Sequence, residues 1–432
     1  MDIRLQLSHA IAPVSLEISG SKSETNRLLL LQALYPGIII QNASESDDSE
    51  AMRKALAGND EVIDIHHAGT AMRFLTAYYA IQEGREVVLT GSQRMKERPI
   101  GVLVDALRSL GADITYTENE GYPPLNIKGK KLSGNAVTIK ADVSSQYITA
   151  LLLIAAKLES GLEITLDGEI TSRPYLEMTL ALLDEVGIET SFKGNVITVI
   201  PSTHNQQPAT ITVESDWSSA SYFYSLIALS ADGASVTLSS YKQNSLQGDS
   251  ALAAIYQGLG VTTEFNGNTI TLIKINSQLS TVNCQLNNTP DIAQTIAVTC
   301  FGLGIGCHLT GLHTLKIKET DRLEALKTEL EKLGAKVTVT NDSLTLAPHS
   351  LFKDRSEAGY LSFASPVRYR SCGQGWGEAE ALSTYNDHRM AMAFAPLAIK
   401  VPIIIKDAEV VSKSYPAFWE DMQKIGFSIG RL

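Results

Sequence analysis

Two kinds of helical pattern alternate along this chain. One kind opens with small, polar or acidic residues and then runs apolar on every face: SKSETNRLLLLQAL from Ser21, AGTAMRFLTAYYA from Ala68, VSSQYITALLLIAA from Val143, SDWSSASYFYSLIAL from Ser215, DIAQTIAVTCFGLG from Asp291 and NDHRMAMAFAPLAI from Asn386. A helix that is apolar all round has to be buried. The other kind is amphipathic and mostly ends in an apolar residue and a glycine before a short strand pattern: LRSLGADITY, LDEVGIETSF, IYQGLGVTTEF, LEKLGAKVTV and MQKIGFSIG, with KALAGND a weaker first member. Those glycines predict left-handed helix ends. Gly111, Gly187, Gly260 and Gly334 recur about every 75 residues, which marks internal repetition.

Each repeat reads strand, buried helix, strand, amphipathic helix, strand, strand. Six repeats predict two α/β lobes of three, with a shorter first repeat. The sixth repeat is one strand short unless the N-terminal IRLQL segment joins it, so the lobes should exchange chain near Gly20 and near Glu214. That divides the chain into 20–214 and a discontinuous 1–19 plus 215–432. The stretch from His349 to Glu380, with Pro366, Gly373, Gly375 and Gly377, breaks the pattern and reads as a surface loop or added hairpin.

Composition narrows the function classes. At 432 residues, 44% hydrophobic and 19% charged, the chain can bury a large core. It carries 36 Lys plus Arg against 47 Asp plus Glu, a formal charge of −11, which argues against nucleic acid and anionic membrane as partners. The opening MDIRLQLSHAIAPVSLEI alternates like a strand rather than a signal peptide, and no apolar run reaches the roughly 18 residues of a membrane span. Cys284, Cys300, Cys307 and Cys372 show no CxxC spacing and read as reduced thiols of a cytoplasmic protein. The SDDSE run at 46–50 reads as an acidic helix start, and His66-His67 lack an HExxH context, so no metal is expected.

Cations are ordinarily disfavoured in the first turn of a helix, where the dipole is positive. Here they recur there: Lys22 and Arg27, Arg73 after Gly69-Thr70, Arg94, Lys96 and Arg98 ahead of Pro99, Lys318 and Arg322 around Thr320-Asp321, and Arg389 after Asn386-Asp387. Free backbone N–H groups and fixed cations together form anion sites. Pairing with Glu24, Glu97, Glu319 or Asp387 is the plainer explanation of any one of them. For five sites together, anion binding is the expectation. Ser21, Ser23 and Ser144-Ser145-Gln146 add neutral donors, although serine also caps any helix. GxGxxG, GxxxxGK[ST] and GxSxG are all missing from the sequence.

Taken together, GSKSETNR (20–27), AGTAMR (68–73), RMKERPIG (94–101), SSQ (144–146), PDIAQTIA (290–297), KETDR (318–322) and YNDHRMAM (385–392) closely resemble the 5-enolpyruvylshikimate-3-phosphate synthase family, colinearly from residue 3 to about 425. The resemblance implies an enolpyruvyl transferase fold of two inside-out α/β barrels, each of three βαβαββ units, with the active site in the cleft between lobes. It implies transfer of the enolpyruvyl group of phosphoenolpyruvate to the 5-hydroxyl of shikimate 3-phosphate with loss of phosphate, without a cofactor, by a monomer. By the same resemblance Lys22, Ser23, Arg27, Ser144, Ser145, Gln146, Ser172, Tyr175, Asp291, Thr314 and Lys318 bind shikimate 3-phosphate. Lys22, Gly69, Arg94, Gln146, Arg322, Arg389 and Lys413 bind phosphoenolpyruvate, and Asp291, Glu319 and Lys22 move protons. Family members bind glyphosate at the phosphoenolpyruvate site. The chain departs from the family at His67, where Asn is common, at Phe74, where Pro is, and at Thr314, where Asn is. A UDP-N-acetylglucosamine enolpyruvyl transferase would place a Cys in the segment that reads GSQRMKERP here, and none is there. A non-catalytic anion-binding repeat protein would have little use for Asp291 and Glu319, acids that repel a bound polyanion.

Overall fold

The computed structural model describes residues 1–8, 11–142, 144–201, 209–352 and 380–432, and the backbone alone of 369–371 and 374–377. It divides into two compact bodies: Ser19–Ser215 with Leu246–Gly248, and Met1–Ile18, Asp216–Ser245 and Asp249–Leu432. They are called the N-body and the C-body below. Each has its own apolar core, one built around Leu28, Met72, Leu103 and Leu151, the other around Trp217, Phe223, Ile296 and Met392.

All six apolar patterns form helices: α1 (Lys22–Leu34), Gly69–Ala80, Ser145–Ala155, Trp217–Leu229, Ala293–Leu303 and His388–Phe394. Burial follows the apolar composition. In Trp217–Leu229 every residue but Ser218 is buried. The amphipathic patterns form Asp47–Ala57, Gly101–Ser109, Arg173–Glu185, Leu252–Gln257, Arg322–Lys332 and Phe418–Ile425. Gly111, Gly187, Gly260 and Gly334 follow these helices at φ between 78° and 102°. Gly58 is the exception, extended at φ −84°.

Every four-stranded sheet holds one parallel pair, and its other pairs are antiparallel. In four of the five the parallel strands are joined through a buried helix, as in Val62–Asp64, Glu86–Thr90, Leu125–Lys128 and Asp113–Tyr116. The β1 strand (Ile3–Leu7) lies between Ile403–Ile405 and Phe427–Arg431, completing the sixth repeat as its missing strand. A second exchange accompanies it. The β2 strand (Val14–Leu16) precedes α1 in sequence but pairs in parallel with Ser235–Ser239, whereas Ala209–Thr212 precedes Trp217–Leu229 but pairs with β3 (Ile38–Gln41). The first repeat departs from the expected pattern: its sheet holds only those two strands among the described residues, because Asp47–Ala57 leads within a few residues to Val62–Asp64 of the next repeat. Tyr369–Ser371 and Gln374–Gly377 pair antiparallel, as a hairpin would, while the rest of the expected insertion lies mostly outside the described residues.

Candidate active site

In the N-body the residues singled out by sequence collect at the starts of its buried helices. Ser21 caps α1 by accepting from Glu24 N at 3.4 Å. Lys22, the first residue of α1, places Nζ 3.3 Å from Asp48, and Ser23 follows it. One turn on, Arg27 is 2% exposed and spans two further helices: Nε donates to Thr179 Oγ1 (2.8 Å), Nη1 to Ser23 O (2.6 Å), and Nη2 to Tyr175 O (3.2 Å) and Thr149 Oγ1 (3.4 Å). Phe74 and Tyr175 present ring faces to the guanidinium at 5.6 and 5.8 Å. Among the described residues no carboxylate forms an ion pair with Arg27; burial lowers its pKa to about 10, against a smaller opposing effect of Tyr175 and Glu24, so it stays charged at neutral pH. A buried guanidinium hydrogen-bonded by neutral groups, with no carboxylate at ion-pair distance, is well suited to an anion.

Further neutral donors open the helix that supplies Thr149 to Arg27. Ser144 caps Ser145–Ala155 by accepting from Gln146 N at 3.3 Å, Ser145 is buried, and Gln146 Nε2 donates to Thr70 Oγ1 at 3.2 Å. Ser172 precedes the helix that carries Tyr175 and holds φ 57°, a left-handed conformation that costs a residue other than glycine about 1 kcal/mol or more.

The Gly69–Ala80 helix begins without a side-chain cap, since Ala68 stands at that place. Arg98 covers this end. A Cβ built on Gly69 would lie 2.5 Å from Arg98 Nη1, so only glycine lets the guanidinium come so close. Arg98 is 9% exposed, its Nε has no hydrogen-bond partner, and it has no ion pair among the described residues.

The C-body carries a different arrangement, a lattice of buried opposite charges. Arg322, 2% exposed, donates Nε to Asp387 Oδ2 (2.6 Å), Nη1 to Asp291 Oδ1 (2.9 Å) and Nη2 to Glu319 Oε2 (2.8 Å). Arg389 reaches Asp291 O (3.1 Å) and Ser218 Oγ (3.2 Å) and lies 3.4 Å from Asp291 Oδ2. Lys413 Nζ is 2.7 Å from Glu319, and Lys318 Nζ is 3.6 Å from Asp291. Local sequence explains the convergence. Asp321 caps the helix that starts at Arg322, and Asp387 caps the helix that contains Arg389 while also holding Arg322. Burial opposes ionisation of Asp291, but Lys318, Arg389 and Arg322 outweigh it and hold the carboxyl well below the usual range. Thr314 is buried with its hydroxyl unpartnered. Beneath Ser218 lies Asp249, 1% exposed and hydrogen-bonded by Ser218 and Thr289.

The family described as EPSP synthase (3-phosphoshikimate 1-carboxyvinyltransferase) matches residues 55–422. A 3-phosphoshikimate 1-carboxyvinyltransferase of Bacteroides fragilis strain YCH46 is 45% identical over 419 residues, covering 96% of each chain. The chain belongs to the EPSP synthase family. A second such enzyme, from Sulfurovum sp. strain NBC37-1, is 37% identical across 94% of this chain and 95% of its own. The solved EPSP synthase of Acinetobacter baumannii shares the fold, with a TM-score of 0.74 at 20% identity over the full length of both chains.

Two expectations need correcting. The first-turn cations are mostly paired with carboxylates: Lys22 with Asp48, Arg94 with Glu97, Arg322 with three acids and Arg389 with Asp291. For the buried Arg322 and Arg389 the reason is burial, because removing a charge from water costs less beside a compensating one. Arg94, expected as the cation for phosphoenolpyruvate, is not the arginine that lies over Gly69. Its side chain is 45% exposed and held 3.1 Å from Glu97, whereas Arg98, four residues on, lies over Gly69. The signal that could have found Arg98 is its position immediately before Pro99, whose carbonyl accepts from Arg73 and Tyr147 and so fixes the segment. The helix after Pro99 begins at Gly101. His66 and His67 face each other, Nδ1 to Nδ1 at 2.7 Å.

Proposed function

We propose that this chain transfers the enolpyruvyl group of phosphoenolpyruvate to the 5-hydroxyl of shikimate 3-phosphate, releasing phosphate and 5-enolpyruvylshikimate 3-phosphate. The reading rests above all on Arg27, a buried cation hydrogen-bonded by neutral groups and without an ion pair among the described residues, within a chain of the EPSP synthase family. In this reading Ser23, Arg27, Ser144, Ser145, Gln146, Ser172 and Tyr175 receive shikimate 3-phosphate, whose phosphate takes the charge-assisted bonds that Arg27 makes with no carboxylate. Asp291, Thr314 and Lys318 receive its hydroxyls, and the unpartnered Thr314 hydroxyl gains a bond there. Lys22, Gly69, Gln146, Arg322, Arg389 and Lys413 receive phosphoenolpyruvate, with Arg98 in place of Arg94 as the cation beside Gly69.

The reaction forms a bond from the 5-oxygen to C2 of phosphoenolpyruvate as the 5-hydroxyl gives up its proton and C3 gains one. The resulting tetrahedral centre then loses a C3 proton as its C–O bond to phosphate breaks, and the proton given up by the hydroxyl leaves on the released phosphate. A carboxyl held as low as Asp291 accepts a hydrogen bond well but retains a proton poorly, so it orients the 5-hydroxyl. Glu319, flanked by Lys413 and Arg322, carries the proton to and from C3, and Lys22 assists departure of phosphate. The cations are fixed before reaction, so charge developing at the carboxylate and phosphate meets groups that need little reorganisation.

A net charge of −11 fits a protein that does not act on nucleic acid, and among the described residues no helix is long and apolar enough to cross a membrane; the chain is proposed to work as a cytoplasmic monomer. The deciding assay is phosphate release by the purified chain. Release requiring both substrates supports the reading. Release with UDP-N-acetylglucosamine in place of shikimate 3-phosphate, or binding of both anions without turnover, would replace it.

A further inference from the structure

Glu329 lies outside the groups just described, yet it is fully buried and carries four contacts. Oε1 accepts from Tyr385 Oη (2.6 Å) and Lys332 Nζ (2.8 Å); Oε2 accepts from Ser383 N (3.2 Å) and Lys332 Nζ (2.8 Å). Lys332 sits on the same helix, so it neutralises the charge without tying anything together. Ser383 and Tyr385 belong to the strap that leads into Asp387.

That strap is not in a relaxed conformation. Tyr385 and Asn386 are consecutive residues other than glycine with φ 54° each, a left-handed pair that persists only when its surroundings enforce it. Its two ends are gripped by one helix. Arg322 opens Arg322–Lys332 and holds Asp387, while Glu329 stands seven residues later, two turns along the same face, and holds Ser383 and Tyr385. Asp387 N also donates to Thr384 O, closing the turn between the two grips.

We infer that Glu329 is a positioning residue for phosphoenolpyruvate binding: by clamping Tyr385 and Ser383 it holds Asp387 where it can orient Arg322 and cap the helix that presents Arg389. This rests on the reading of Arg322 and Arg389 as phosphoenolpyruvate ligands. Glu329 itself touches neither, and with the strap loose Asp387 would lose its fixed place between the two arginines.

Two variants and two readouts test it. Glu329→Gln keeps the shape but turns an N–H donor toward Ser383 N or Tyr385. Tyr385→Phe removes a single hydroxyl from a side chain that is 38% exposed, and leaves Glu329 with Lys332 and Ser383. In steady-state kinetics, Glu329→Gln should raise KM for phosphoenolpyruvate roughly tenfold and Tyr385→Phe about threefold, with KM for shikimate 3-phosphate within about twofold of wild type. The double variant should be no worse than Glu329→Gln alone, because both remove one clamp. Hydrogen exchange on the same proteins should show faster opening confined to 383–389, with Arg322–Lys332 still protected. Equal rises in both KM values, or folded variants with unchanged phosphoenolpyruvate KM, would overturn the inference. Should the wild-type chain prove inactive, the functional reading fails, and hydrogen exchange still decides whether Glu329 holds the strap: unchanged exchange at 383–389 would reject it.

Discussion

The guanidinium of Arg98 lies directly over Gly69, so close that a Cβ at that glycine would meet Nη1 at 2.5 Å. Four residues earlier, Arg94 turns outward to Glu97. The two arginines should therefore behave differently. Arg98→Gln is expected to weaken phosphoenolpyruvate binding about ten- to a hundredfold, the loss of one charge-assisted bond to an anion. Arg94→Gln removes an exposed pair of the kind worth at most about 1 kcal/mol, and should change it less than about threefold. Calorimetry on both variants gives the comparison, and the reverse order would return the role to Arg94.

Gly69→Ala should act through the same contact. The added methyl must push Arg98 aside, so phosphoenolpyruvate KM should rise by roughly tenfold or more while that of shikimate 3-phosphate moves little. Glyphosate inhibition should weaken in parallel. A folded alanine variant with wild-type kinetics for both ligands would mean that Arg98 is not needed where it lies.

Arg27 offers a test in the opposite direction. Arg27→Gln leaves hydrogen-bonding capacity toward Thr179 and Tyr175 but removes the charge. Shikimate 3-phosphate affinity should fall about ten- to a hundredfold, with phosphoenolpyruvate affected less. Titration of each ligand separately measures the split, and equal losses for both would contradict the assignment.

Glu319→Gln keeps size and hydrogen bonding but cannot carry a proton. Turnover should fall by about 10²–10⁴ at saturating substrates with both dissociation constants largely kept. Near-normal turnover would remove Glu319 from the proton path.

Asp249 yields a pH prediction. Burial pushes its carboxyl above the usual range, ahead of the opposing effect of Arg389. A folded-state pKa above the unfolded value of about 3.9 means that the folded protein holds the proton longer, so this group's contribution to stability is present at low pH and is lost as pH rises through the window above that value. Asp249→Asn cannot ionise. Thermal melting between about pH 4 and pH 8 should show wild type losing ground to the variant as pH rises; parallel curves would show that Asp249 does not ionise differently in the folded state.

Much of this was legible in the chain because it depends on local pattern. Helices apolar on every face, such as Trp217–Leu229, have nowhere to go but a core, and the left-handed glycines at 111, 187, 260 and 334 mark helix ends by backbone sterics alone. The repeat count, the membership of β1 in the sixth repeat and the cations gathered at helix starts follow from the same periodicities. What the pattern could not decide was pairing at a distance. Whether Arg94 or Arg98 meets Gly69 depends on where a segment ahead of Pro99 is pinned, and four residues of sequence separation leave both within reach. That Arg322 satisfies Asp291, Glu319 and Asp387 together while Arg27 hydrogen-bonds only neutral groups is a matter of which carboxylates share a buried volume. Glu329 and Tyr385, 56 residues apart, become partners only when the strap at 383–387 is folded over the helix that begins with Arg322. Local sterics and hydrophobic periodicity act within a few residues and can be read in order along the chain. The cost of burying a charge is settled by whatever the fold brings beside it, and that is known only in three dimensions.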